Sequence, residues 1–306
     1  PRITRETTFS ATVKEKEWVF VLVVDPTWTN SSIPPNGPSS GRFEAWIDPL
    51  PCGELDRDSI EVYDVAGLVR EFENPIGGKT YKLAPGEFIL PIRKTTECGD
   101  LVQPPCCLNY GLNTGIGITL AGAGPGRTIL RTSDPLECGD QPIINGIITA
   151  GGLFPATIRD LTLVVETSKK QKSAVMQAFD IDHYSVSDIE LCNVEVVVIG
   201  DGTADGFFMD KSPVMAPYTY PVNIEIRKCR FIGNGKGAAI GGGDVNGVVS
   251  YNVSIEDTTI ENWDYGVKVR SNAPHGFTVT IDDCNATFKN VNTALDVDGI
   301  VHQTCP

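Results

Sequence analysis

The segments Ile226-Arg-Lys-Cys-Arg-Phe231 and Ile255-Glu-Asp-Thr-Thr-Ile260 follow one pattern, apolar-x-x-apolar-x-apolar. The pattern also fits Ile158 to Leu163 and Val186 to Leu191, and a looser copy runs from Ile281 to Cys284. The starts of the five copies are 28, 40, 29 and 26 residues apart. Each copy is short and is bounded by Gly, Asn or Asp, which is typical of β-strands.

A second family of short strands follows the first at the same period. Its predicted inward pairs, at intervals of 28, 31, 29 and 28 residues, are Phe179/Ile181, Phe207/Met209, Ala238/Ile240, Val267/Val269 and Leu295/Val297. Two strand families that share one period of roughly 20–50 residues indicate a stacked array. Because no stretch shows a sustained helical period with caps, the array is predicted to be all-β.

The composition excludes several classes of protein. With 41% hydrophobic residues, the chain can form a packed core and is too apolar to be disordered. Its formal net charge of −14 disfavours binding to nucleic acid phosphates. No apolar run reaches the roughly 20 residues that cross a bilayer, so no membrane span is predicted.

Cysteines and glycosylation sequons indicate an extracellular protein. The chain has 9 Cys, which is many for a reducing compartment, and their spacing indicates no metal site. Three sequons are present, Asn30-Ser-Ser, Asn252-Val-Ser and Asn285-Ala-Thr. We therefore predict a secreted or cell-surface glycoprotein that carries covalent glycans at these three asparagines.

Some cysteines lie in recurring turns. Glu97-Cys-Gly-Asp100 recurs as Glu137-Cys-Gly-Asp140, and Cys52-Gly-Glu is similar to both. These turns are expected to be linked to one another or to a neighbouring cysteine pair, and the disulfide candidates are Cys52, Cys98, Cys106, Cys107 and Cys138. Cys229 and Cys284 fall on inward positions two coils apart, too far for a disulfide, and are predicted to be buried thiols.

Two glycine-rich segments precede the repeats, Gly78-Lys-Thr-Tyr-Lys-Leu-Ala-Pro-Gly-Glu-Phe-Ile-Leu90 and Ile118-Thr-Leu-Ala-Gly-Ala-Gly-Pro-Gly-Arg-Thr-Ile-Leu-Arg131. They resemble the LPAG-x-Y and GAGPGRTVL coils of the pectin-lyase-like right-handed parallel β-helix superfamily. The resemblance implies an all-β, single-stranded right-handed parallel β-helix over residues 61–306. It implies no single activity, because this fold carries lyases, hydrolases, epimerases and structural proteins.

Residues 1–60 differ and are predicted to form an N-terminal strand followed by a proline-rich arm. The predicted strand consists of Trp18, Val19, Phe20, Val21, Leu22, Val23 and Val24. It either covers the open N-terminal end of the β-helix or pairs with a neighbouring subunit across the arm. In the second case the chain self-associates.

Outward residues of the second strand family are predicted to form columns, because strands one coil apart lie about 4.8 Å from each other. The two predicted columns are Asp180, Phe208, Ala239, Lys268, Asp296 and Asp182, Asp210, Gly241, Arg270, Asp298. Asp182 beside Asp210 is the candidate acid–base pair. Lys268 and Arg270 are candidates to bind a uronate or to stabilise an enolate-like intermediate.

A simpler interpretation of these columns stays open. Asp182 and Asp210 would then lie in solvated turns at strand ends. Lys268 and Arg270 would form ordinary cross-strand ion pairs with the aspartates one coil on.

Three functions are compatible with the sequence. The catalytic motifs of pectate lyases and polygalacturonases are not matched, so the main prediction is an extracellular structural glycoprotein, a subunit of a filament assembled through β-helix ends and the N-terminal strand, with no cofactor. The first alternative is a lyase or glycoside hydrolase of acidic polysaccharides, for which the resemblance allows Ca²⁺. The second is a carbohydrate-binding or adhesion module with exposed aromatic residues at Phe208, Trp263 and Tyr265.

Overall fold

The computed structural model of the chain describes part of its length. The described residues are Cys52 and 59–95, 106–109, 111–114, 116–132, 143–144, 146–149, 154–168, 177–181, 188–211, 222–244, 251–271, 279–282 and 285–297. The predicted strand Trp18–Val24, the proline-rich arm and the sequon at Asn30 lie outside the described residues. They therefore stay predictions, as does the domain boundary at residue 60.

Short strands make up most of the described structure. In chain order the elements are β1 (Ser59–Val62), α1 (Val65–Glu73), β2 (Thr80–Leu83), β3 (Gly86–Leu90), β4 (Ile92–Thr95), β5 (Cys106–Asn109), β6 (Leu112–Asn113), β7 (Thr119–Ala121), β8 (Thr128–Thr132), β9 (Ile143–Ile144), β10 (Gly146–Thr149), β11 (Ala156–Thr167), β12 (Gln177–Ile181), β13 (Ile189–Gly200), β14 (Asp205–Lys211), β15 (Val222–Arg227), β16 (Arg230–Ile232), β17 (Ala238–Asp244), β18 (Tyr251–Glu256), β19 (Thr259–Glu261), β20 (Tyr265–Ser271), β21 (Val279–Asp282), β22 (Thr287–Lys289) and β23 (Thr293–Val297).

Two large parallel sheets contain most of these strands. The larger sheet has the order β1-β2-β7-β11-β13-β15-β18-β21, and a second row, β3-β8-β11-β13-β16-β19-β22, shares its long strands β11 and β13. The smaller sheet has the order β6-β10-β12-β14-β17-β20-β23, and β4, β5 and β9 form a third sheet in which β4 and β5 are antiparallel. The predicted stacking of parallel strands is thus present. The described segments are interrupted between the sheets, and within them no closed coil is shown.

Apolar side chains of successive strands stack in rows inside the protein. Ile158, Leu191, Ile226 and Ile255 pair in register, and none of the four exposes any surface. Burial of such a side chain contributes about 1.5–3 kcal/mol relative to leaving it in water. These rows therefore hold successive strands together.

The frame predicted for the second repeat copy is wrong. Ile158 pairs with Leu191, 33 residues on, and Leu191 with Ile226, 35 residues on, so the copy begins at Leu191 and not at Val186. Apolar alternation along β13 fits either frame, but only the observed one aligns Asn193 with Asp160. Both residues have the left-handed conformation, with φ of 54° and 56°, which Asn and Asp tolerate best among residues with a side chain.

The predicted pairing of β14 with β17 is also wrong, by two residues. Phe207 pairs with Ile240 and Met209 with Gly242, where the sequence pattern paired them with Ala238 and Ile240. The long side chain of Met209 accounts for the shift. A Cβ atom on Gly242 would lie 3.0 Å from Met209 Cε, so Met209 occupies the interior space that a side chain at residue 242 would need.

A helix that the sequence reasoning missed follows β1. Asp64 caps α1 by accepting a 2.7 Å hydrogen bond from the amide of Gly67, and Leu68 and Phe72 are buried on one face. Phe72 packs at 5.1 Å from the ring of Tyr81. The helix has 9 residues, too few to give a sustained period. No helix in the described part of the chain is long and apolar enough to cross a membrane.

The structure places five of the nine cysteines. Cys52, Cys106, Cys107 and Cys192 are disulfide-bonded, and Cys229 is a buried free thiol. Cys192 was not among the predicted disulfide candidates. Cys98, Cys138 and Cys284 lie outside the described residues.

Candidate functional site

The outward face of the smaller sheet carries a row of residues that differs from the predicted column. Phe208 pairs with Gly241, Gly241 with Lys268, and Lys268 with Asp296. Gly241 thus stands where Ala239 was predicted. By the same shift, Gly243 rather than Gly241 lies between Asp210 and Arg270.

An open cleft of about 630 Å³ lies over this row. We call it the Phe208 cleft. Its side chains come from β14, β20 and the turns that precede β14, β17 and β20, and they are Thr203, Asp205, Phe208, Lys236, Asp264, Tyr265 and Lys268. Glycine and alanine backbone of β17 and its preceding turn completes the lining.

Asp205, the first residue of β14, supplies a carboxyl group to the cleft. Its Oδ1 accepts a 2.7 Å hydrogen bond from the amide of Ala238. Burial raises the pKa of the Asp205 carboxyl to about 6, although the Ala238 hydrogen bond and the positive charge of Lys268 oppose the shift. The carboxyl therefore changes its charge close to pH 6.

Lys268 supplies a positive charge on the other side of Gly241. Its Nζ lies 4.0 Å from the centroid of the Tyr265 ring, a cation–π contact. Arg131, Arg227 and Arg230, on the larger sheet, instead form ion pairs with glutamates. Among the described residues Lys268 forms no such ion pair, and its charge acts on the Asp205 carboxyl.

Glycine keeps the floor of the cleft open. A Cβ atom on Gly241 would point into the cleft, 3.0 Å from Phe208 Cδ2 and 3.3 Å from Asp205 Oδ2. Gly237, in the turn before β17, has φ of +71°, and a Cβ there would lie 2.3 Å from the carbonyl oxygen of Ala204. A side chain at residue 241 would fill the cleft, and one at residue 237 would disrupt the turn.

The described structure does not test the predicted catalytic residues, although the strand register places Asp210 and Arg270 in one row on either side of Gly243. Lys268 lies in the Phe208 cleft, whereas Asp210 and Arg270 lie in β14 and β20 with side chains outside the described set. Asp182 follows the end of β12 and is not described. The sequence reasoning missed Asp205, because its place beside Gly241 depends on the register of β14 and β17.

Two of the three predicted carbohydrate-binding aromatic residues line the cleft. Phe208 and Tyr265 are partly exposed there. Trp263 is only 1% exposed, so the prediction that it is a surface residue is wrong. Its ring packs over the backbone of Gly233, where a Cβ would lie 2.5 Å from Trp263 Cδ2.

The two described sequons lie in hydrogen-bonded rows of polar side chains. Asn252 Nδ2 donates to Asn223 Oδ1 at 3.0 Å, and Asn285 Nδ2 donates to Asp257 Oδ1 at 3.1 Å. Asn285 is exposed in a turn and Asn252 is half-buried on β18. Glycosylation of either residue stays a prediction. Within the described residues, no group of three or more His, Cys, Asp or Glu is placed to hold a metal ion.

Comparison with known proteins finds two solved structures of low similarity. No protein-family model and no curated protein matches the chain. Among solved structures it is similar to the A-modules of the Azotobacter vinelandii mannuronan C-5 epimerases AlgE4 and AlgE6, each at 13% identity. The alignments cover 81% of this chain and 97% of the AlgE4 module, and 78% and 92% for AlgE6, with TM-scores of 0.21 and 0.20. TM-scores this low support no argument about fold or function.

Proposed function

We propose that the chain is a right-handed parallel β-helix protein that binds an acidic polysaccharide in the Phe208 cleft. The β-helix is supported by the parallel register of the two large sheets: from β10 onward the chain returns to the smaller sheet after every one or two strands of the larger sheet. The observation that supports binding is the row Phe208–Gly241–Lys268. It offers an aromatic face, an open floor and an ammonium group within about two strand spacings, or about 9.6 Å.

Each part of this row has a partner on a uronic acid chain. An aromatic ring packs against the apolar face of a sugar, and a lysine binds a carboxylate as a point charge. The groove is open rather than enclosed, which suits a chain that runs across it. The disulfide bonds at Cys106 and Cys107 support the extracellular location that such a ligand requires.

Calorimetric titration with trimers of galacturonic, mannuronic and glucuronic acid tests this proposal. At least one trimer is expected to bind, and Lys268→Met is expected to weaken its binding by about tenfold, the typical effect of a lost charged hydrogen bond. Lys289→Met, on the exposed face of β22, is the matched control and leaves the affinity unchanged. Failure of all three trimers to bind the wild-type protein would contradict the proposal.

Cleavage of the bound polysaccharide is a second candidate function, favoured by Asp205. A carboxyl with a pKa of about 6 can donate or accept a proton near neutral pH. The Asp205→Asn protein should then bind the polysaccharide without producing new chain ends. Intact polysaccharide after long incubation with the wild-type protein would argue against cleavage and leave the binding proposal standing.

The filament role stays a prediction from the sequence. It depends on Trp18–Val24, which lies outside the described residues, and the described contacts neither favour nor oppose it. Measurement of the mass of the native particle would test it, since a clean monomer contradicts a filament subunit.

A further inference from the structure

Asp205 and Lys268 face the same small region of the Phe208 cleft. Gly241 pairs with Lys268 on one side, and on the other its open Cβ position lies 3.3 Å from Asp205 Oδ2. The Lys268 charge is close enough to lower the pKa of Asp205 against the effect of burial. A ligand group above Gly241 therefore meets the carboxyl and the ammonium group together.

We infer that the Phe208 cleft binds its acidic ligand together with one proton, which Asp205 takes up. This inference rests on the proposed function. A ligand carboxylate that pairs with Lys268 comes close to Asp205, and two carboxylates in one half-buried site repel each other. Ionised Asp205 also competes for Lys268. Protonated Asp205 does neither, and its hydroxyl can donate a hydrogen bond to the ligand.

Several other charged and polar groups face Asp205 from the elements packed against it. Across β17 and its turn, Asp205 faces the Ala238 amide and Lys236, and from β20 it faces Tyr265 and Lys268. β12 places the uncharged Gln177 opposite Asp205 in the register. Asp264 is the remaining carboxyl of the cleft, and it accepts a 3.0 Å hydrogen bond from Asn292 Nδ2.

The pH dependence of the ligand affinity follows from the coupling between ligand binding and protonation of Asp205. If the ligand binds only the protonated form of a group whose pKa is about 6, its affinity falls about tenfold between pH 5 and pH 7. The ligand's own carboxylates, which titrate near pH 3.5, stay ionised throughout this range. A neutral ligand of the same shape should show no such fall.

The experiment is a calorimetric titration at pH 5 and pH 7, with the uronic acid trimer that binds most tightly and with its methyl ester. At each pH it is repeated in two buffers that differ in ionisation enthalpy, which gives the number of protons taken up. For the wild-type protein we expect about tenfold tighter trimer binding at pH 5, close to one proton taken up at pH 7, and no pH dependence for the ester. Asp205→Asn should bind the trimer at pH 7 about as tightly as the wild type does at pH 5. Asp264→Asn should retain proton uptake.

Two results would overturn the inference while leaving the proposed function intact. One is equal wild-type affinity at both pH values with no proton uptake. The other is loss of proton uptake in Asp264→Asn but not in Asp205→Asn. Absence of trimer binding at either pH, in the wild type and in Asp205→Asn, would instead contradict the proposed function. The wild-type proton count decides the inference even if Asp205→Asn fails to fold.

Discussion

Gly241 lies against the carboxyl of Asp205, so that a methyl group at residue 241 would be 3.3 Å from Asp205 Oδ2. It would also lie 3.0 Å from the ring of Phe208. Gly242, the next residue, has the opposite orientation, because a Cβ there would contact Met209 and Val269 in the interior. The backbone of both glycines lines the cleft, but the Cβ position of Gly241 faces the cleft and that of Gly242 faces the core.

Gly241→Val should abolish ligand binding without unfolding the protein. Its two methyl groups would occupy the floor of the Phe208 cleft between Phe208 and Lys268, whereas valine is well suited to a strand. We expect trimer affinity to fall at least about tenfold, since a buried contact of this size is worth more than about 1.4 kcal/mol. Calorimetric titration measures the affinity, and circular dichroism confirms the fold.

Gly242→Ala is the matched control for that change. Its methyl group meets the flexible end of Met209 at 3.0 Å, so the free energy of unfolding should fall by about 1 kcal/mol while trimer affinity is retained. If Gly241→Val bound the trimer as well as Gly242→Ala does, the ligand would have to lie elsewhere on the protein.

Asp205→Asn should change how stability depends on pH. The pKa of Asp205 is raised from 3.8 to about 6 in the folded protein, so the folded state binds more protons than the unfolded state between these values. Stability from this group is therefore present at low pH and is lost as pH rises from about 4 to 6. Asparagine keeps the Oδ1 acceptor for the Ala238 amide and does not titrate.

The measurement is urea unfolding of both proteins at pH 4 and pH 7. The stability of Asp205→Asn relative to wild type should increase by about 2 kcal/mol over that interval. Other acidic groups titrate alike in both proteins and cancel in the difference. A difference that stayed constant would mean that Asp205 has an ordinary carboxyl pKa, and one that decreased would mean that folding lowers its pKa.

The repeat pattern predicted the parallel strands because burial imposes it directly. Leu163, Val196, Phe231 and Ile260 stack in one fully buried row, and apolar side chains at these positions are visible in the sequence. The pattern could not fix the frame of the second copy, because apolar-x-x-apolar-x-apolar fits the sequence equally well when it starts at Val186 or at Leu191. One residue distinguishes the two frames: Asn193, in the left-handed conformation, aligns with Asp160 only in the observed register.

The candidate site was less predictable because it depends on register. Lys268 was identified correctly as an outward cation, and the strand register that aligns it with Asp296 was also correct, although the described residues show no ion pair between the two. An error of two residues at β17 moved Gly241 into the wrong column and hid the opening beside Asp205. Trp263 was predicted to be exposed, but Gly233 leaves a space into which the indole packs, and this contact between distant residues is not visible in the repeat pattern.

Cys229 should be unreactive in the folded protein. Its thiol is buried, with Sγ 3.2 Å from the carbonyl oxygen of Arg227, and burial raises the pKa of the thiol to about 12. At pH 8 its thiolate fraction is then about a thousandfold lower than that of an exposed thiol. Alkylation with iodoacetamide followed by peptide mapping should label Cys229 only after unfolding.

Lys228→Cys supplies the positive control for that labelling, because residue 228 is exposed next to the buried thiol. Labelling of residues 228 and 229 at similar rates in the folded protein would show that Cys229 is accessible and that this part of the core is open.

Asn193 should stabilise the protein in two separable ways. Its Nδ2 donates a 2.6 Å hydrogen bond to Asp160 Oδ1, and its φ of 54° lies in the left-handed region. Asp160 in turn binds Nε of Arg159, whose side chain is 4% exposed.

Asn193→Gly removes the hydrogen bond but accepts the backbone conformation, at a cost of about 1 kcal/mol. Asn193→Ala removes the hydrogen bond and adds strain, so urea unfolding should find it about 1 kcal/mol less stable than the glycine variant. Equal stability of the two variants would mean that the turn relaxes to an ordinary conformation. The left-handed conformation of Asn193 would then not determine the register of β11 and β13.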